Sequence, residues 1–238
     1  MQTLKPKALA FDVFGTVVDW HGGIAAEASA LAAAHGLQVD GPAFAKDWRA
    51  GYPVAMDRVR GGELSWTHID TLHRMILDCI VGRHGLDALD EAARQHLNRA
   101  WHRLPPWPDA VRGLTRLKTR ATITTLSNGN FSLLTEMAKN AGLPWDCIVS
   151  AELFGHYKPD AEVYLGCARL LDVAPADLMM VACHPSDLRA ARSHGLRTAY
   201  VLRPFENGLG SVLPAVTPGE FDLVAQDFND LADQLGAA

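Results

Sequence analysis

Polar side chains gather just after short apolar runs in this chain, and their types suit chemistry on a small polar molecule. Asp12 and Thr16 follow Ala8-Leu9-Ala10-Phe11. Ser127 and Asn128 follow the run from Ala121 to Leu126, and Asp187 lies just beyond the run from Leu178 to Cys183. Lys158 sits in His156-Tyr157-Lys158-Pro159-Asp160, a loop ahead of a helical stretch. If the runs are strands of one open parallel sheet, these residues share the edge where such sheets bind ligands, beyond the carboxyl ends of the strands. Carboxylate, ammonium, hydroxyl and amide heads then converge on one place.

The elements needed to hold them there are legible. Ala8 to Phe14 is short, apolar and stopped by Gly15-Thr16, as a buried strand would be. The runs Ala121 to Leu126, Leu178 to Cys183 and Thr198 to Leu202 read the same way, and Phe221 to Val224 adds a last strand. Helices are expected at Phe131 to Ala141, Ala161 to Leu171, Ser186 to His194 and Asp227 to Gln234. Strands alternating with capped helices imply an α/β fold with a parallel sheet and right-handed crossovers. From about Asp19 to Pro108 there is no convincing strand. That stretch reads as helices at Ile24 to His35, Pro42 to Arg60, Trp66 to His84 and Leu89 to His102, closed by the stiff return Pro105-Pro106-Trp107-Pro108. A helical insert within an α/β core is expected.

Composition narrows the partners. The chain has 238 residues, of which 48% are hydrophobic and 21% charged, the profile of a globular protein with a sizeable core. A net charge of -5 leaves no electrostatic footprint for nucleic acid or anionic lipid. Cys79, Cys147, Cys167 and Cys183 form no C-x-x-C pair, so neither a zinc site nor a disulfide framework is signalled. The apolar stretch after Lys5 and Lys7 is broken by Asp12, unlike a secretory signal, and no run approaches the ~20 apolar residues of a membrane span. A cytoplasmic protein acting on a small molecule, with no nucleic-acid or membrane partner, is expected.

Four stretches in this order resemble the haloacid dehalogenase superfamily, and most closely its L-2-haloacid dehalogenase (type II) branch. They are Phe11-Asp12-Val13-Phe14-Gly15-Thr16-Val17-Val18-Asp19, Leu126-Ser127-Asn128-Gly129, Tyr157-Lys158-Pro159-Asp160 with Tyr164, and Asp187 with Ala190-Ala191-Arg192 behind it. The resemblance spans nearly the whole chain. It implies a Rossmann-like three-layer core at 1–16 and 108–238 with a helical cap domain at 17–107.

The superfamily divides by chemistry. Its phosphatases carry Asp-x-Asp, whose second Asp protonates the leaving group and whose backbone helps to hold magnesium; that second position here is Phe14. They also carry Gly-Asp-x-x-x-Asp, and in Ala182-Cys183-His184-Pro185-Ser186-Asp187 the first carboxylate is replaced by Cys183. A neutral thiol is a poor ligand for a hard cation. The resemblance therefore implies a nucleophilic Asp12 without a metal or organic cofactor. Carboxylate attack on an alkyl halide needs no acid, because the halide leaves as a stable anion, and the ester formed is cleaved by water.

In that scheme Lys158 keeps Asp12 ionised, and Asp187 holds Lys158 and helps to position water. Thr16, Ser127 and Asn128 supply hydrogen bonds to Asp12 and to the substrate, and Tyr164 buttresses Lys158. The resemblance also implies that backbone amides at the first strand's end and Ser127 hold the substrate carboxylate, with Asn128 and an insert arginine near the halide. Asp47-Trp48-Arg49 matches the family's Trp-Arg pair and selects Arg49, an always-charged donor of several hydrogen bonds. Phe14 is compatible with such a pocket. Where many type II enzymes have Ser-x-Asn, this chain has Ala182-Cys183-His184, similar to histidine-containing, fluoroacetate-accepting relatives. His184 either bonds the nucleophile, helps to activate water or narrows the halide pocket; the other nine histidines are read as structural. Inversion at the substituted carbon and a homodimer through the cap complete the implied picture. Two readings stand beside it: a magnesium-dependent phosphatase, and a silent small-acid-binding protein that keeps the fold.

Overall fold

A computed structural model describes residues 5–237; residues 1–4 of the expected core, and residue 238, lie outside the described residues. Five parallel strands form one sheet: β1 (Ala8–Phe11), β2 (Thr122–Thr125), β3 (Leu178–Ala182), β4 (Arg197–Val201) and β5 (Leu223–Ala225), in the order β2-β1-β3-β4-β5. The strands are short and apolar because helices cover both sheet faces, so neither face needs polar residues. Side chains alternate between two apolar clusters with the period of two that a pleat imposes. Leu9, Phe11, Ile123, Met179 and Val181 face one cluster, and Ala8, Ala10, Leu178, Met180 and Ala182 face the other.

The first cluster is covered by α5 (Ala110–Lys118), α6 (Phe131–Ala141) and α9 (Phe228–Gln234), through Leu114, Leu117, Leu133, Leu134, Phe228 and Leu231. On the second lie α7 (Ala161–Leu170) and α8 (Pro185–Ser193), through Val163, Tyr164, Cys167, Leu188 and Ala191. This is a three-layer α/β sandwich.

Between β1 and α5 the chain builds the helical insert: α1 (Trp20–Ala34), α2 (Gly41–Arg60), α3 (Ile69–Ile80) and α4 (Glu91–Asn98), followed by a 3₁₀ turn at Arg99–Arg103. Asp19, Asp40 and Asp90 cap α1, α2 and α4 by accepting from backbone amides at their first turns. The insert shares one apolar cluster with the sheet, so Trp48, Leu72, Leu77 and Trp101 are continuous with Leu9 and Phe11. Its two connections run side by side. Val18 bridges Pro106 in antiparallel fashion, Asp19 N donates to the Pro105 carbonyl at 2.9 Å and Trp107 N to that of Val17 at 3.0 Å.

The element boundaries differ from the sequence reading in instructive places. The first strand stops at Phe11, which leaves Asp12, Val13 and Phe14 outside the ladder. α1 begins at Trp20, ahead of Gly22-Gly23, because the Asp19 cap outweighs their low propensity. The stretches read as Trp66 to His84 and Leu89 to His102 are shorter α-helices with 3₁₀ turns at Gly82–His84 and Arg99–Arg103. α5 was not expected from the sequence, and the last strand lies at Leu223–Ala225. α2 runs through Pro53, which cannot donate to the carbonyl of Arg49 one turn earlier.

Candidate active site

The register of β1 with its two neighbours sets the site. Ala10 pairs with Thr124 on one side and Met180 on the other, so the three strands end level. Sequence order reverses here, with β2 on one side of β1 and β3 on the other, and ligands bind at such a switch point. Asp12 N donates to the Val181 carbonyl at 3.0 Å and Leu126 N to that of Phe11 at 2.7 Å. These bonds bring Asp12, Ser127 and His184 to the same edge.

Asp12 is 7% exposed and fully engaged. Its Oδ1 accepts from Lys158 Nζ at 3.0 Å, and its Oδ2 accepts from Thr16 Oγ1 at 2.7 Å and lies 3.0 Å from His184 Nδ1. Burial raises the carboxyl's pKa, but the Lys158 charge and the bonds from His184 and Thr16 outweigh it and hold the group well below the usual carboxylate range. Asp12 is therefore an anion at any ordinary pH. Lys158 Nζ also donates to Asp187 Oδ2 at 2.5 Å, and Tyr164 OH donates to Asp187 Oδ1 at 2.6 Å. Burial disfavours the charged ammonium, yet Asp12 and Asp187 more than reverse that, so Lys158 stays protonated.

A cavity of about 220 Å³ opens over Asp12. Phe14, Ser127, Asn128, Lys158, Tyr164, His184 and Asp187 line it from the core, and Arg49 and Tyr52 close it from α2. Arg49 is caged by aromatic rings, with its guanidinium carbon 4.5 Å from the Tyr52 centroid, 5.6 Å from Trp20 and 5.9 Å from Phe14. Its buried NH1 has no hydrogen-bond partner. A permanent cation with an unspent donor on a cavity wall is a receptor for an anion. Phe14, 3% exposed, packs edge-on to Trp101 at 5.8 Å. Gly129 makes room for it, since a Cβ there would stand 3.0 Å from the Phe14 ring.

Magnesium does not fit these residues. The positions where the superfamily's phosphatases carry a second Asp and a first metal carboxylate are filled by a phenyl ring and by the Cys183 thiol, which burial holds in its neutral form. An ammonium already stands 3.0 Å from the Asp12 carboxylate. Cys183, His184 and Glu206 present atoms within 4.8 Å of one another. They are linked by hydrogen bonds among themselves and to Asp12 and Thr16, which makes them a hydrogen-bonded chain.

Of the residues picked out in the sequence, Asp12, Thr16, Lys158, Asp187, Tyr164, His184, Ser127, Asn128, Arg49 and Phe14 are brought together, but several bond differently from the expectation. Tyr164 reaches Asp187 and supports Lys158 only through it. Asn128 does not touch Asp12. Its Oδ1 accepts from Lys158 N at 2.7 Å and its amide nitrogen lies 3.4 Å from the Lys158 carbonyl, so it clamps the lysine's backbone. Ser127 also makes no bond to Asp12; its Oγ accepts from Gly129 N at 3.2 Å. The carboxylate is instead served by the imidazole and by Thr16, which additionally accepts from Cys183 N at 3.0 Å.

Glu206 is the charged neighbour that sequence reasoning missed. Its Oε1 lies 2.7 Å from His184 Nε2 and accepts from Trp20 Nε1 at 3.2 Å. It belongs to no motif, but it follows β4 at the same sheet edge, so the rule that found the others would have reached it. Burial raises the Glu206 pKa, and His184 and Trp20 together bring it below its ordinary value. The His184 imidazole is opposed by burial and supported by its bonds to Asp12 and Glu206, and the balance holds it well above the usual histidine value.

Comparison with known proteins agrees with this geometry. The model of the haloacid dehalogenase-like hydrolases matches residues 6–195. A solved defluorinating L-2-haloacid dehalogenase is 46% identical and superposes with a TM-score of 0.93 over 98% of this chain and 96% of its own. A second solved L-2-haloacid dehalogenase is also 46% identical, with a TM-score of 0.92 over 98% of this chain and 100% of its own. The (S)-2-haloacid dehalogenase of Xanthobacter autotrophicus is 28% identical over 221 residues, 89% of this chain and 81% of that protein. A buried carboxylate paired with an ammonium at the switch point of a three-layer sheet, together with a family match over most of the chain, places this protein among the haloacid dehalogenase-like hydrolases.

Proposed function

We propose that the protein hydrolyses the carbon–halogen bond of short 2-haloalkanoic acids. Asp12 attacks the carbon that bears the halogen, an ester forms as halide leaves, and water cleaves the ester to give the 2-hydroxy acid. The observation that carries this reading is the Asp12–Lys158 pair, 3.0 Å apart and buried beneath a cavity of about 220 Å³. An ionised carboxylate shielded from water is a strong nucleophile toward carbon, and the cavity suits a short acid. The names of the similar dehalogenases support the same substrate class.

The substrate's own carboxylate needs donors, and the leaving halide needs a cation. Ser127 and the amides beyond β1 are assigned to the first task, Arg49 and Asn128 to the second. The reaction as written needs no metal. Fluoroacetate is proposed as an accepted substrate, because His184 takes the place of an amide beside the nucleophile and one similar solved structure is of a defluorinating enzyme. Residues 17–107 act as the cap, contributing Arg49 and Tyr52, while 1–16 and 108–238 carry the nucleophile and its partners. A homodimer is proposed through the cap, where Val54 is 63% exposed beside a groove between α2 and α3. Free thiols at Cys79, Cys147, Cys167 and Cys183 suit the cytoplasm. Among the described residues no helix is long and apolar enough to cross a membrane.

The test is halide release from chloroacetate, L- and D-2-chloropropionate and fluoroacetate in excess EDTA, for the wild type and Asp12→Asn. Release that survives EDTA and disappears in the variant is the expected result. A wild type that releases halide only after magnesium is restored overturns the metal-free reading, and one that releases none from any substrate overturns the dehalogenase reading.

A further inference from the structure

We propose that Glu206 is the positioning residue for His184, and that the Glu206–His184 pair moves the proton during hydrolysis of the Asp12 ester. This rests on the dehalogenase reading above and adds the identity of the base in its second half.

The geometry is a relay. His184 stands between two carboxylates, with Nδ1 3.0 Å from Asp12 Oδ2 and Nε2 2.7 Å from Glu206 Oε1. Glu206 is itself pinned. Trp20 Nε1 donates to Oε1, the Cys183 thiol donates to Oε2 at 3.6 Å, and the side chain lies against the bare Cα of Gly15, where a Cβ would stand 2.3 Å from Oε1. Gly15 holds φ +86°, so the close approach and the backbone both call for glycine. A carboxylate seated this firmly fixes both the ring plane and the nitrogen that keeps its proton.

The other candidates for the base are occupied. Each oxygen of Asp187 already accepts a strong donor, Lys158 Nζ at 2.5 Å and Tyr164 OH at 2.6 Å, so both are engaged in holding the lysine and the phenol. Lys158 carries its proton between two carboxylates. His184 remains, and its charge state follows the reaction. In the resting enzyme both ring nitrogens face carboxylates, so the imidazole is protonated and donates to each. Esterification of Asp12 removes the negative charge beside Nδ1. The ring then releases one proton to solvent, with Glu206 retaining the N–H at Nε2, and the neutral Nδ1 faces the ester.

Water then gives a proton to Nδ1 as its oxygen bonds to Cγ of Asp12. The tetrahedral intermediate expels the alkoxide, which takes that proton and leaves as the hydroxy acid. Asp12, left as a carboxylic acid, returns its proton to Nδ1 and restores the imidazolium. The sum is substrate plus water giving hydroxy acid, halide and one proton. The groups that face the imidazole are Asp12 from the β1 edge, Cys183 beside it and Glu206 from the β4 loop. Lys158 and Arg49 act on those carboxylates, and the Tyr200 phenol is near on β4.

The experiment uses L-2-chloropropionate with the wild type, His184→Asn, Glu206→Gln and Glu206→Asp. It combines rapid quench, intact-protein mass and the pH profile of kcat, with thermal melting to confirm folding. In His184→Asn a halide burst near one equivalent is expected, followed by turnover about a hundredfold slower, with the alkylated protein accumulating. Glu206→Gln should slow kcat about 10- to 100-fold, accumulate the same adduct and move the acid limb of kcat to lower pH, because the anion that raises the histidine's basicity is gone. Glu206→Asp should restore part of the rate. A Glu206→Gln protein that is folded and keeps the wild-type kcat and limb overturns the proposal, as does loss of the burst itself without adduct. A wild type that neither releases halide nor forms an adduct overturns the dehalogenase reading, and this proposal with it.

Discussion

Asp12 and Lys158 define one another. The ammonium sits 3.0 Å from the carboxylate, and without it burial alone would raise the Asp12 pKa. Lys158→Met should therefore slow halide release about a hundredfold or more and move the acid limb of kcat/KM to higher pH, since Asp12 would then protonate where the wild type is still ionised. A pH profile with L-2-chloropropionate reads both effects, and an unmoved limb would refute the role. Arg49 belongs to the same scale. Its unpaired NH1 and aromatic cage predict that Arg49→Met lowers kcat and kcat/KM together about 30-fold or more, because the halide charge that it meets develops only in the transition state. Arg49→Lys should not restore the rate, because a point ammonium lacks the fork of donors. Both residues were visible in the sequence as types at positions. The Lys158 partners Asp12 and Asp187 were legible as well, but Tyr164 and Asn128 bond one step away from the expected atom, because a chain of letters does not record which oxygen a hydroxyl reaches.

Elements hold these side chains in place, and one buried ion pair ties several together. Arg203, just beyond β4, binds Asp109 through both guanidinium nitrogens at 2.8 and 2.9 Å, and its Nε donates to the Thr16 carbonyl at 2.8 Å. Asp109 also accepts from Phe228 N at the start of α9. The pair thereby fixes the β1 loop, the entry to α5 and the last helix relative to one another. Asp109→Asn leaves a buried guanidinium without its counter-charge and should destabilise the protein by about 3 kcal/mol in urea unfolding; a change under about 1 kcal/mol would show that the pair is not structural. The strands were legible because buried parallel strands are short apolar runs closed by turn residues. α5 was missed because Ala110–Lys118 is brief and carries Gly113, a weak helical signal that the packing of Leu114 and Leu117 against the core overrides.

At the scale of the molecule, the insert and the core meet through charge as well as through apolar contact. His102 of the insert binds Asp70 at 2.9 Å through one ring nitrogen and Glu136 of α6 at 2.9 Å through the other, and Asn130 of the core donates to Asp70 at 3.0 Å. Burial raises the Asp70 pKa, and His102 and Asn130 reverse this to leave it below the ordinary value. Asp12, Asp70, Asp109 and Glu206 all have depressed values in the folded state. A depressed carboxyl contributes stability that is present above its unfolded value, about 4, and is lost as pH falls through the folded one. The melting temperature should therefore fall steeply below about pH 4, which calorimetry across an acid series would test. A flat profile to about pH 3 would show that these partners contribute little.

The sequence by itself determined the fold class, the order of strands and of every helix but α5, the insert, and Asp12 and Lys158 as partners, because those follow from periodicity, turn residues and short local patterns. It also argued against a magnesium site, since Phe14 and Cys183 stand where the phosphatases carry carboxylates. Only the tertiary structure decided which atoms meet. Glu206 lies 22 residues beyond His184 and Asp12 lies 172 before it, yet parallel strands that end level place all three in one hydrogen-bonded line. Such proximity is set by sheet register and crossover packing, which depend on contacts between residues far apart in the chain.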